Sequence, residues 1–147
     1  MNILVVIEHS QGSIHRLSKE AIVGAQNLGD TVTALVIGDG SEETISFLKG
    51  CDIERVLTVN HELVKSYNAD GYASIVSQVI VTLSPNLIIA GHTYQTRDFM
   101  PRVSAKLRLP FIPDIVSVSD NKYIKHCLLY TSPSPRDRTR SRMPSSA

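Results

Sequence analysis

The sequence predicts an α/β fold of three layers, in which helices cover both faces of a doubly wound, mostly parallel sheet. Short apolar runs of strand length alternate with amphipathic segments of helix length along most of the chain, and this alternation is typical of parallel sheets with right-handed crossovers. The segment from Leu87 to Pro110 shows the pattern most completely, because a buried strand, a polar loop and an amphipathic helix follow one another there. In folds of this class, the loop after such a strand lies at the sheet edge where ligands or partners bind.

The predicted strands are short segments rich in apolar and β-branched residues. In chain order they are Asn2 to Ile7, Thr31 to Ile37, Arg55 to Val59, Leu87 to Ala90, Ile115 to Val118 and Lys122 to Lys125.

The predicted helices combine helical spacing of apolar residues with residues that begin or end a helix. They are Ser18 to Leu28 with Ser18 as cap and Gly29 as stop, a short helix from Ser41 to Lys49 closed by Gly50, Ala69 to Leu83 ended by Ser84-Pro85, and Asp98 to Leu107. In the last helix, Asp98 is the predicted N-cap, and Pro101 is tolerated in the first turn.

The loop from Gly91 to Arg97 is the candidate binding loop, because it joins a buried strand to the N-terminus of a helix. Within it, Gly91, Thr93 and Arg97 are the candidate cofactor-binding residues. The sequence predicts no catalytic residue and no set of metal ligands.

The segment from Cys127 to Ala147 is expected not to be native protein. Its beginning, CLLYTSPSPRD, and its end, SRMPSSA, match translations of a transposase-type sequencing adapter, so we expect read-through from a library and no stable structure. The alternative is a natural basic tail, rich in Ser, Pro and Arg, that binds nucleic acid or a membrane. We therefore predict one domain, residues 1–126, followed by a disordered, non-native tail, residues 127–147. Without the tail, 11 Lys and Arg stand against 13 Asp and Glu, so the formal charge of +1 becomes −2 and no basic patch indicates nucleic-acid binding.

Most chemical signatures are absent. No GxGxxG follows the first strand, and no Walker loop, HExxH or GxSxG occurs. His9 and His92 each follow a predicted strand and could approach each other as a base or as metal ligands, although two polar loop residues are the simpler interpretation. Cys51 is interpreted as a small buried hydrophobic residue. No apolar run approaches the length of about 20 residues that a membrane span needs.

One run resembles a known family. TYQTRDFMPRVSAKL, from Thr93 to Leu107, is similar to the T-x-x-GRDLLPR-x-A-A-x-L run in the amino-terminal domain of the alpha subunit of electron transfer flavoprotein, with Thr96 in place of the family's glycine. ILVVIEH, AQNLG, TVTALVIG, GCDIERVLTVNH and LPFIPDIVSV match the same domain in the same order. The resemblance covers nearly all of residues 1–126 and implies a Rossmann-like fold of the adenine-nucleotide-alpha-hydrolase-like class.

The resemblance implies a role in electron transfer. In that family, the subunit pairs with a beta subunit, and the heterodimer carries electrons from acyl-CoA or other dehydrogenases to a membrane-bound quinone oxidoreductase or another acceptor. FAD is bound mainly by the carboxy-terminal domain of the alpha subunit, which this chain lacks, so the fragment is expected to bind no cofactor and to be no enzyme. AMP is expected in the beta subunit, at a loop in the place of Gly91 to Arg97, whereas the alpha copy is generally without nucleotide.

The resemblance also assigns expectations to individual residues. Arg97 is expected to form an ion pair or to brace the loop against the partner, and the alternative is contact with a phosphate or with the flavin's surroundings. Phe111 and Ile112 are candidates for the beta-subunit interface. No nucleic acid and no membrane insertion are expected, and the location would be the cytoplasm in bacteria or the mitochondrial matrix in eukaryotes.

Two other functions stay open at this point. A free-standing nucleotide-binding module of the universal-stress-protein type shares the alternating architecture, although only Gly91 represents its glycine-rich phosphate loop. A hydrolase that uses His9 and His92 is the third hypothesis, although no nucleophile or orienting acid is evident.

Overall fold

The structure, a computed structural model, describes residues 1–29, 31–40, 42–119 and 122–125. In chain order the strands are β1 (Asn2–Ile7), β2 (His9–Ser10), β3 (Ser13–Ile14), β4 (Thr31–Ile37), β5 (Arg55–Val59), β6 (Leu87–Ala90), β7 (Ile115–Ser119) and β8 (Lys122–Lys125). The helices are α1 (Arg16–Leu28), α2 (Glu42–Lys49), α3 (Ala69–Leu83) and α4 (Tyr94–Leu107), with a turn of 3-10 helix at Glu62–Val64.

A parallel sheet of four strands organises the first compact unit, residues 1–111. Its strand order is β5-β4-β1-β6, and every neighbouring pair is parallel. The strands β2 and β3 form a small antiparallel hairpin directly after β1. The doubly wound α/β fold predicted from the sequence is therefore confirmed.

Side chains of β1 alternate between two cores, one on each face of the sheet. Leu4 and Val6 pack with residues of α3 and α4, whereas Ile3, Val5 and Ile7 pack with residues of α1 and α2. All five side chains are buried, because successive side chains of a strand point to opposite faces and both faces are covered here. This arrangement explains why β1 reads as a continuous apolar run.

The start of α1 differs from the prediction. The helix begins at Arg16, and His15 is its N-cap, with the ring Nδ1 accepting a hydrogen bond of 3.1 Å from the amide of Leu17. Ser18, the predicted cap, is buried inside the first turn, where its Oγ accepts the amide N–H of Glu8 at 2.9 Å. The prediction was wrong because this hydroxyl bonds to the end of β1 rather than to its own helix. Gly29 ends the helix as predicted.

The other helices of the first unit agree more closely with their predicted bounds. The predicted cap of α2, Ser41, lies outside the described residues, while the end of the helix at Lys49 matches the prediction. Helix α3 has the predicted bounds, and Ser84 follows it with a left-handed backbone at a φ of 47°. The start of α4 differs more from the prediction, because the helix begins at Tyr94.

The second unit begins at Ile112. Its described residues form an antiparallel hairpin of β7 and β8, with an irregularity of register between Ile115 and Ser117. The predicted boundary at residue 126 and the tail, residues 127–147, lie outside the described residues, so their disorder stays a prediction. Among the helices that the structure describes, none combines the length and the apolar character needed to cross a membrane.

Candidate functional site

The candidate site lies at the carboxyl edge of the sheet, between β1 and β6. The chain adds β4 and β5 on one side of β1 and then returns to add β6 on the other side. Such a reversal of strand order opens a crevice outside the carboxyl ends of the two strands, and ligands of doubly wound sheets bind there. The walls of this crevice are the loop that follows β1 and the loop from Gly91 to Thr93.

Gly91 packs directly against the first turn of α1, the helix that follows the loop after β1. It is buried, and a Cβ atom placed on it would lie 2.8 Å from Cβ of Leu17 and 3.0 Å from the carbonyl carbon of Leu17. The second of these neighbours is backbone, which cannot move without shifting the first turn of α1. The position therefore needs glycine for close packing of the loop against α1.

Thr93, the second candidate, begins helix α4. Its backbone is extended, and its Oγ1 accepts a hydrogen bond of 3.2 Å from the amide of Thr96. The Thr93 hydroxyl also donates to Oγ1 of Thr96 at 3.1 Å, and both side chains are buried. Thr93 is thus the N-cap of α4, and it satisfies one of the amides that every helix N-terminus leaves free.

The prediction of Asp98 as N-cap is therefore wrong. Helix α4 begins at Tyr94, which places Asp98 in the second turn and Pro101 inside the helix. The residues from Tyr94 to Arg97 are polar and show no apolar spacing, so the sequence pattern did not mark them as the first turn of α4. Pro101 is favoured in a first turn, and it therefore indicated a helix start one to two turns too late. A threonine followed three residues later by a second threonine was the available sequence signal.

Asp98 connects α4 to the loop that precedes α3. Its Oδ2 accepts a hydrogen bond of 2.7 Å from the hydroxyl of Tyr67, and its Oδ1 lies 3.7 Å from Nη2 of Arg102. Arg102 in turn donates from Nη1 to Oδ1 of Asp70 at 2.8 Å. Burial, and then the hydrogen bond to Asp98, raise the pKa of Tyr67 well above its ordinary value, so the tyrosine stays a neutral donor.

Three aromatic rings pack beside this polar network. The ring centroids of Tyr67 and Tyr72 lie 5.0 Å apart in an edge-on arrangement, and Phe99 of α4 lies 5.6 Å from Tyr72 and 6.5 Å from Tyr67. The sequence pattern singled out neither Tyr67 nor Tyr72. They are separated from Phe99 by more than 25 positions, so no local pattern could have grouped them.

Arg97 is the only one of the three loop candidates that faces solvent. Its guanidinium lies 5.8 Å from the ring centroid of Tyr94, a cation–π distance. No carboxylate pairs with it in the described part of the chain. The ion pair expected for Arg97 is therefore not formed with any described residue.

The histidines do not form a pair. His9 uses Nε2 for a hydrogen bond of 2.8 Å with the carbonyl of Ile37 at the end of β4. His92 is exposed, and no hydrogen bond to another described residue involves its ring. Among the described residues no group of three or more side chains could hold a metal ion. These contacts give the hydrolase hypothesis no support.

Glu8 lies at the end of β1. Its Oε2 atom is inaccessible to solvent and has no hydrogen-bond partner among the described residues. Burial, and then the charge of Glu8, raise the pKa of Tyr72. A carboxylate in this position opposes the binding of a phosphate.

Cys51 is half-buried and packs against the core of α1 and α2. Its Sγ donates to the carbonyl of Phe47 at 3.4 Å. These contacts agree with the interpretation of Cys51 as a small hydrophobic residue, except that it lies at the edge of the core and is not fully buried.

Four backbone amides near this edge have hydrogen-bond partners inside the chain. The amide of Glu8 donates to Ser18, that of Leu17 to His15, and those of Thr93 and Thr96 to Gly91 and Thr93. These four amides are used within the fold rather than presented to a ligand.

Comparison with known proteins identifies the class to which this fold and edge belong. The sequence profile of the "Electron transfer flavoprotein domain" matches residues 3–135. The chain belongs to this family, which confirms the resemblance seen in the sequence and favours the electron carrier over the nucleotide-binding module.

Several relatives carry names of electron-transfer subunits. The chain is 28% identical over 114 residues to an electron transfer flavoprotein subunit alpha of Syntrophomonas wolfei, covering 78% of this chain and 36% of the relative. It is 30% identical over 119 residues to the corresponding subunit of Bacillus subtilis, covering 80% and 37%. An acryloyl-CoA reductase electron transfer subunit beta of Anaerotignum propionicum is 27% identical over 129 residues, covering 84% and 35%. The chain thus spans about a third of the length of these relatives.

Proposed function

We propose that this chain is the amino-terminal domain of the alpha subunit of a heterodimeric electron carrier that contains FAD. The complete heterodimer passes electrons from acyl-CoA or other dehydrogenases to a quinone oxidoreductase or another acceptor. This domain pairs with the beta subunit, which holds AMP, and the domain itself has no enzymatic activity. The bacterial origin of the relatives supports a cytoplasmic location.

The main support for this proposal is that the chain matches only about a third of the length of its relatives. About two thirds of their length has no counterpart here, and the loop between β6 and α4 contains a single glycine, Gly91, rather than a glycine-rich phosphate loop. We therefore assign FAD to the part of the alpha subunit that corresponds to the unmatched length of these relatives. The present domain contributes structure and a partner surface.

The test begins at the genetic locus. An independent library should show a reading frame that continues past residue 126 to the full length of an alpha subunit, beside a gene for a beta subunit. The full-length pair, expressed together, should be purified with a flavin absorbance spectrum and should accept electrons from a reduced acyl-CoA dehydrogenase. The present chain alone should be colourless, and a stoichiometric flavin on it would contradict the proposal.

A further inference from the structure

We draw no further inference here: the strongest candidate, the exposed rim of Leu63, Tyr94 and Arg97 at the carboxyl edge of the sheet, carries none because nothing in the structure shows what covers it.

Discussion

The hydroxyl of Tyr67 donates a hydrogen bond of 2.7 Å to Oδ2 of Asp98 and thereby joins two segments separated by 31 positions. This contact explains Asp98 better than helix capping does. Capping would satisfy an amide of the same helix, whereas the observed contact fastens the loop before α3 to the second turn of α4.

A double-mutant cycle tests this role of Asp98. Tyr67→Phe and Asp98→Ala should each lower the free energy of unfolding by about 1 kcal/mol. The double variant should lose little more than either single variant, because the two substitutions remove the same hydrogen bond. This value lies below the range of about 1.5–3 kcal/mol for hydrogen bonds to charged groups, because the side chain of Asp98 is 47% exposed. Asp98→Asn should cost less, because an amide oxygen still accepts. Urea denaturation measures all four forms, and additive losses would show that the two residues act independently.

Removal of the true cap of α4 should also destabilise the domain. Thr93→Ala should lower the free energy of unfolding by about 0.5–2 kcal/mol, because the amide of Thr96 loses its acceptor in a buried position. Thr93→Ser keeps the hydroxyl and should retain most of the stability. If thermal melts show equal stability of Thr93→Ala and the wild type, the capping contact does not contribute.

Two glycines give opposite expectations for the same substitution. Gly91→Ala should destabilise the domain by about 1–3 kcal/mol, because the new methyl group overlaps Leu17 and its backbone cannot withdraw. Gly24→Ala should stabilise the domain by about 0.5–1 kcal/mol, since alanine is the better helix former and nothing lies within 4 Å of a Cβ at this position of α1. Guanidinium denaturation compares the two, and a neutral Gly91→Ala would show that the loop and α1 can separate.

The buried hydroxyl of Ser77 should be dispensable. The residue is 3% exposed, and its Oγ has no hydrogen-bond partner among the described residues. Ser77→Ala should therefore raise the free energy of unfolding by about 1 kcal/mol, because an unsatisfied polar group is removed and helix propensity improves. Ser74→Ala, at an exposed site of the same helix, should show only the gain in propensity. A loss of stability in Ser77→Ala would reveal a partner for this hydroxyl.

Stability at alkaline pH should depend on Tyr67. Burial, first, and the hydrogen bond to Asp98 raise the pKa of Tyr67 above its ordinary value of 10.0, so the folded state holds the phenolic proton more tightly than the unfolded state. Stability from this source is complete below about pH 10 and declines as the pH rises further. Tyr67→Phe should make this decline shallower without removing it, because the pKa of Tyr72 is also raised. Free energies of unfolding between about pH 8 and 11 test the difference.

The strand pattern of this domain is readable in the sequence. The predicted bounds of β1, β4, β5 and β6 agree with the structure, because buried parallel strands must be short apolar runs. Helix α3 is equally clear, since its apolar residues keep helical spacing over its whole length and Ser84-Pro85 ends it.

The candidate site was predicted only in its location. The sequence places the loop from Gly91 to Arg97 at the carboxyl edge of the sheet, and the structure agrees. The sequence does not show that this loop packs tightly against α1, because that packing depends on the approach of Leu17 to Gly91, which are 74 positions apart.

The helix starts, too, were decided by the tertiary structure. Ser18 and Asp98 are both residues that favour N-caps, yet Ser18 bonds to the amide of Glu8, and Asp98 bonds to Tyr67. A local propensity of about 1 kcal/mol for capping is no larger than the free energy of one hydrogen bond to a distant segment. Local patterns therefore determine which segments become strands and helices, whereas contacts between distant segments determine which polar side chains cap them and which join them together.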